Sequence, residues 1–121
     1  MRQFGQVHIL LTRPLTQMIN NPKCSIYIPS RNYGKYLRQA IDSVVAQIFD
    51  DWELILVDEA SEDDSLEIMR DYEQRLSSRV KVIRNPSPMG LQKLANLVLR
   101  ECSGKYILRL DADDWLEEHA L

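Results

Sequence analysis

The sequence predicts an α/β domain: a parallel sheet with helices on both faces. Three observations predict it. Short β-prone runs alternate with amphipathic helical periods in the order β-α-β-α-β-α-β between Lys23 and Leu110. The run Trp52-Glu53-Leu54-Ile55-Leu56-Val57 ends as a continuous apolar stretch, which suits a strand covered on both sides. The chain has 121 residues, 45% hydrophobic and 27% charged, with four Gly and five Pro, so it supports one core and is not a low-complexity or disordered chain.

The elements follow in order. Residues 1–22 have no clear period and read as a leader, whether strand, amphipathic arm or disordered segment, closed by a turn at Asn20-Asn21-Pro22. Ser25-Ile26-Tyr27-Ile28 is a short strand stopped by Pro29. Leu37, Ala40, Ile41, Val44, Val45 and Ile48 then fall on one helical face, with Ser30 or Asn32 as its cap. After the strand at 52–57, Ser61 to Asp64 form an acidic turn. Asp63 and Asp64 there complement the dipole of a helix carrying Leu66, Met69, Tyr72 or Glu73, and Leu76. Val80-Lys81-Val82-Ile83 is the third strand. Leu91, Leu94, Ala95, Val98, Leu99 and Cys102 are the stripe of the third helix, which Ser103-Gly104 ends. Tyr106 to Leu110 is the fourth strand, and Asp111-Ala112-Asp113-Asp114 follows it.

Composition excludes several classes. A net charge of -3 lacks the basic stripe of a nucleic-acid binder. Cys24 and Cys102 lie far apart without C-x-x-C spacing, so they read as two small buried thiols in a reducing compartment, not a disulfide or zinc framework. No apolar run approaches the ~20 residues that span a bilayer. Val7 to Leu11 is shorter than the ~7–15-residue core of a signal peptide. The chain reads as soluble and cytoplasmic, with a peripheral position at a membrane left open.

Ligands of open parallel sheets bind outside the carboxyl ends of the strands. There stand Pro29-Ser30-Arg31-Asn32, Asp58-Glu59-Ala60-Ser61 and Asp111-Ala112-Asp113-Asp114. Two carboxylate groups thus meet at one sheet edge. Clustered carboxylates repel one another, and a divalent cation relieves that repulsion. Hard oxygen donors suit Mg²⁺ or Mn²⁺, commonly shared with substrate phosphates. The pattern points to a metal-dependent site for a phosphorylated ligand. Taken alone, Asp113 and Asp114 would serve equally well as the cap of a helix starting near Trp115.

At these residues the sequence resembles the catalytic domain of glycosyltransferase family 2, of the GT-A fold, a Rossmann-like architecture. The resemblance runs from Cys24 to Leu121. Ser25 through Asn32 is similar to the family's opening strand and P-T-Y-N-type loop. Tyr36-Leu37 and Ala40 through Gln47 match its first helix. Glu53 through Ser61 resembles the strand ending in V-D-D-G-S, and Gly104 through Asp114 resembles G-E-Y-I followed by D-x-D.

The resemblance implies a nucleotide-sugar site made of Pro29, Ser30, Arg31, Asp58, Glu59, Asp111, Ala112 and Asp113. Asp58 would accept hydrogen bonds from base or ribose. Asp113 and Asp111 would hold Mn²⁺ or Mg²⁺. The donor would be a nucleotide sugar, most often UDP-linked, and transfer to a saccharide or other hydroxyl acceptor would invert the anomeric centre. The general base of the family would lie beyond Leu121, so no catalytic residue is assigned within the chain. Residues 23–121 read as the nucleotide-binding half of the domain. Glu59 and Ala60 depart from the usual Asp and Gly, and Ala60 lacks the freedom of Gly at a turn needing positive φ. The basic residue common in the third helix is missing, and Lys93 and His119 read as solvated helix residues.

The alternative is a nucleotide-binding or self-associating module without turnover, including a homodimer. A receiver-type phosphotransfer domain is disfavoured by Pro-Ser-Arg-Asn after the first strand. Leu116 stands where an EF-hand needs its turn Gly.

Overall fold

The computed structural model describes residues 8–12 and 22–121. The elements are β1 (His8–Thr12), β2 (Cys24–Ser30), α1 (Gly34–Val45), β3 (Trp52–Glu59), α2 (Ser65–Arg75), β4 (Val80–Asn85), α3 (Leu91–Glu101) and β5 (Tyr106–Arg109). The five strands form one sheet in the order β1-β5-β2-β3-β4. β2 pairs in parallel with both β3 and β5, and β4 pairs in parallel with β3. The expected four-stranded parallel sheet is therefore present. β1, from the segment left open in the sequence, adds an antiparallel edge strand beside β5. Asn20 and Asn21 of the expected turn lie outside the described residues.

The side-chain alternation of the strands sorts the core into two layers. Ile26, Ile28, Leu54, Leu56, Leu108 and Leu110 pack with α1 and α2 on one face. Tyr27, Ile55, Val57 and Ile107 pack with α3 on the other. Helices thus cover both faces. Leu37, Ile41 and Val44 of α1 are fully buried, each contributing about 1.5–3 kcal/mol of apolar burial. Cys24 and Cys102 are buried free thiols, and burial pushes the Cys24 thiol up.

Several expectations need correction. Val45 is 39% exposed because it stands about 100° round the helix from Val44, at the margin of the buried stripe, and Ile48 is 62% exposed because α1 has ended at Val45 and the helical period no longer applies. In α2 the buried stripe includes Ile68. In α3 it is Leu94, Leu97 and Val98. Leu99 stands about 200° round the helix from Leu97 and is exposed, and so is Leu91 in the first turn. β2 runs through Pro29 to Ser30. The Tyr27 carbonyl accepts Leu110 N–H from the β5 side, so by alternation the missing Pro29 N–H also faces that side, where the β5 ladder has already ended. No helix starts near Trp115; Asp114 N–H closes a turn on the Asp111 carbonyl at 3.0 Å.

Gly104 has no left-handed backbone, contrary to its expected role as a helix stop. A Cβ there would sit 2.6 Å from Ser25 N and 2.6 Å from Ser25 Oγ. Its own N–H donates to that hydroxyl at 2.7 Å. Close approach of two backbones is what requires glycine.

Candidate functional site

The carboxyl ends of β2, β3 and β5 lie side by side, with Ser30 opposite Asp58 and Tyr27 opposite Arg109 in register. A cavity of about 300 Å³ opens at this edge, lined by Pro29, Tyr33, Arg109, Asp111, Ala112 and Asp113. The strand pleat explains the two lining residues that belong to strands, and the other four come from the loops that follow β2 and β5. Pro29 and Arg109 share the parity of Tyr27 and Ile107 and so lie on the α3 side of the sheet. Ser30 and Asp58 share the parity of Ile28 and Leu56 and lie on the α1–α2 side. Four of the eight expected site residues therefore line the cavity, while Ser30, Arg31, Asp58 and Glu59 adjoin it along the same edge.

Asp58 is fully buried at the end of β3. One carboxylate oxygen accepts Ser61 N–H at 3.4 Å and lies 3.9 Å from Arg84 Nε. The other, Oδ1, has no hydrogen-bond partner among the described residues, and neither has the buried Ser30 hydroxyl. A buried carboxylate oxygen without a donor is costly. Arg31 is exposed.

Glu59 is committed elsewhere. Its Oε1 accepts Asn85 Nδ2 at 3.1 Å and its Oε2 accepts Met89 N–H at 2.9 Å. It ties the β4–α3 loop to the end of β3.

The loop after β3 is shaped by strain and by cross-loop bonds. Ala60 has φ 56° and Asn32 has φ 59°. The turn expected to want glycine thus keeps its left-handed geometry with alanine, at a backbone cost of about 1–2 kcal/mol. Asn32 N–H donates to Ser61 Oγ at 2.9 Å, and Asn32 Oδ1 accepts Glu62 N–H at 2.7 Å. Asp63, expected to complement the dipole at the start of α2, is exposed there and also reaches across to α1. Its Oδ2 accepts Gly34 N–H at 3.0 Å and its Oδ1 accepts Ser65 N–H at 2.9 Å. Neither Ser30 nor Asn32 caps α1 with its side chain; the cap comes from Asp63. Burial pushes the Asp63 carboxyl up, but the hydrogen bonds from Ser65 and Gly34 outweigh it and hold it below the ordinary range.

The acidic loop after β5 is anchored at both ends. Leu110, Ala112 and Leu116 are buried in the α1–α2 layer. Ser43 Oγ accepts Leu116 N–H at 3.0 Å. Gln47 is 5% exposed. Its amide donates to the Glu117 carbonyl at 2.6 Å and accepts Leu121 N–H at 3.0 Å. Between these anchors, carboxylate oxygens of Asp111, Asp113 and Asp114 lie within 4.8 Å of one another. Asp114 is 2% exposed, and Asp111 and Asp113 are half-buried. Arg109 Nη2 stands 3.0 Å from Asp111 Oδ1.

Tyr33 and Arg109 line the cavity without having been singled out in the sequence. Arg109 carried a signal, a lone charge inside the apolar run of a strand; Tyr33 carried none. Lys93 is exposed on α3, as expected for a solvated helix residue; His119 is exposed too, 3.6 Å from Glu118, but it lies in a turn and not in a helix.

Residues 25–121 match the family model "Glycosyl transferase family 2". The chain belongs to that family, and its fold is of the GT-A type found in the solved relatives. It is 36% identical to chondroitin synthase of Escherichia coli over 83% of this chain and 14% of that protein. It is 30% identical to the poly(ribitol-phosphate) beta-N-acetylglucosaminyltransferase TarS of Staphylococcus aureus over 82% of this chain and 18% of that one. The crystal structure of S. aureus TarS 1-349 in complex with UDP-GlcNAc superposes with a TM-score of 0.71 at 29% identity, over 79% of this chain and 28% of that chain. A mannosyltransferase from Pyrobaculum calidifontis, solved with GDP-Man and Mn2+, shares the fold at a TM-score of 0.68 and 21% identity, over 77% and 28% of the two chains. The chain spans well under half the length of the curated relatives that it matches. Among the described residues no helix is long and apolar enough to cross a membrane.

Proposed function

We propose that residues 23–121 form the nucleotide-sugar-binding part of a metal-dependent, inverting glycosyltransferase that uses a UDP-linked donor and a hydroxyl acceptor. One observation carries this reading. A cavity lined by Arg109, Asp111 and Asp113 lies at the same sheet edge as Asp58, whose buried Oδ1 lacks a donor. The likeness to TarS, solved with UDP-GlcNAc, supports the choice of donor.

Each residue has a part. Pro29 and Ser30 line the nucleotide pocket mainly through backbone. Asp58 accepts hydrogen bonds from the base or ribose, which satisfies the oxygen now unpaired. Glu59 acts from behind, by fixing the loop at Asn85 and Met89. Asp111 and Asp113 fit a divalent cation, since their carboxylate oxygens, with one from Asp114, form an all-oxygen set within 4.8 Å. A cation held there supplies Lewis acidity to the departing diphosphate. The acceptor hydroxyl attacks the anomeric carbon opposite the diphosphate, forming one C–O bond as the other breaks. The base that takes its proton is assigned to none of these residues.

Calorimetric titration of UDP, with and without Mn²⁺, tests the reading. Binding that requires Mn²⁺ and is abolished by Asp113→Ala is expected. Absence of UDP binding by a folded wild-type chain would overturn it.

A further inference from the structure

The acidic loop contains a contest for one carboxylate. Arg109 Nη2 lies 3.0 Å from Asp111 Oδ1, and Asp111 is also one of the three carboxylates whose oxygens gather within 4.8 Å. Both Arg109 and Asp111 line the same cavity. Their side chains are 38% and 41% exposed, so the ion pair is screened and weak enough to exchange. The backbone from which the guanidinium extends is held, since β5 is laddered on both sides at Arg109, to Tyr27 and to His8. Its buried Nε has no hydrogen-bond acceptor among the described residues. A strand-fixed arginine with a spare donor, paired to a cation ligand, can serve two anions in turn.

We propose that Arg109 is a positioning residue that couples cation binding to nucleotide binding. This rests on the site reading given above. Without nucleotide, Arg109 occupies Asp111 and competes with a divalent cation for it. When a nucleoside diphosphate enters, its phosphate oxygens take over the guanidinium, a planar fork suited to them. Asp111 is then released to the cation. Charge supports the exchange, because a divalent cation at Asp111 offsets the positive charge that this carboxylate loses when Arg109 turns to the phosphate.

The test is Mn²⁺ binding by electron paramagnetic resonance, and UDP binding at saturating Mn²⁺ by calorimetry, in wild type, Arg109→Gln and Arg109→Lys. The expected result has opposite signs. Arg109→Gln binds Mn²⁺ alone about tenfold more tightly and UDP about tenfold more weakly, within the usual range of coupling. Arg109→Lys lies between it and wild type. A purely structural role would move both affinities the same way, so a shift of both in one direction, or of neither, overturns the proposal. If Arg109→Gln fails to fold, Arg109→Lys is read by the same signs. If wild type binds no UDP, the site reading falls, and the Mn²⁺ arm still judges the competition: unchanged Mn²⁺ affinity in the variants sinks it.

Discussion

The Asn32 side chain accepts the Glu62 backbone N–H at 2.7 Å, across two loops that leave neighbouring strands. Ser61 returns the contact by accepting Asn32 N–H. This pair of bonds fixes the entrance to α1 against the turn after β3, and the turn is held in a left-handed conformation at Ala60. The edge of the site is thus a cross-braced structure, not two independent loops.

Ala60 bears the cost of that turn. Ala60→Gly relieves the left-handed strain but adds freedom to the unfolded chain, and the first effect is the larger. The expected result is a gain of about 1 kcal/mol, read as a higher urea midpoint with unchanged slope. A loss of stability would show that the alanine methyl makes a contact that matters more than its φ.

Asp63 makes the acid limb of stability depend on this brace. Its folded value is depressed below the ordinary 3.8, so its contribution is present above 3.8 and is lost as pH falls through 3.8 towards the lower folded value. Asp63→Asn is expected to flatten the fall in stability below about pH 4. Parallel acid-unfolding curves for wild type and variant would rule out the linkage.

Gln47 holds the segment that follows the acidic loop. Gln47→Ala leaves the Leu121 N–H and the Glu117 carbonyl without their partner and opens a gap beside α1. A loss of about 1–3 kcal/mol is expected. UDP affinity in the presence of Mn²⁺ should fall as well, since Asp111 to Asp114 lose one anchor. Unaltered affinity in the destabilised variant would mean that Ser43 and the core residues suffice.

Asp58 separates binding from stability. Asp58→Asn removes a buried charge whose Oδ1 has no donor, so the folded state loses little. The unfolding free energy from urea titration should stay within about 1 kcal/mol of wild type, while UDP binding drops at least about tenfold, as expected for a charged hydrogen-bond partner. Full retention of UDP binding would remove Asp58 from the site.

Gly104→Ala tests the opposite end of the sheet. The new methyl meets backbone atoms of Ser25 and Cys24 at 2.6 and 2.8 Å, which cannot swing away as a side-chain tip can. A destabilisation of about 1–3 kcal/mol is expected from overpacking, measured by thermal or urea unfolding. Wild-type stability in this variant would show that β2 and the α3–β5 turn can separate freely.

The sequence by itself determined the alternation of strands and helices, because the periods of 2 and 3.6 residues are local properties of the chain. It also brought the strand ends to within about two residues of their places, and so put Pro29, Asp58 and Asp111 at one edge. The resemblance to the family's V-D-D-G-S motif flagged the turn at Ala60, where the chain has alanine at a glycine position.

The tertiary structure decided the rest. Whether a strand-end residue enters the cavity depends on its side of the pleat. That divides Pro29 and Arg109 from Ser30 and Asp58, and only the packing of helices on each face settles which side holds the cavity. Glu59 is drawn to Asn85 and Met89, and Asp63 to Gly34, by partners 26 to 30 residues away. The place of His8–Thr12 beside β5 is likewise a long-range pairing. Backbone hydrogen bonds between distant segments leave no period in the sequence, so their partners are chosen only when the sheet assembles.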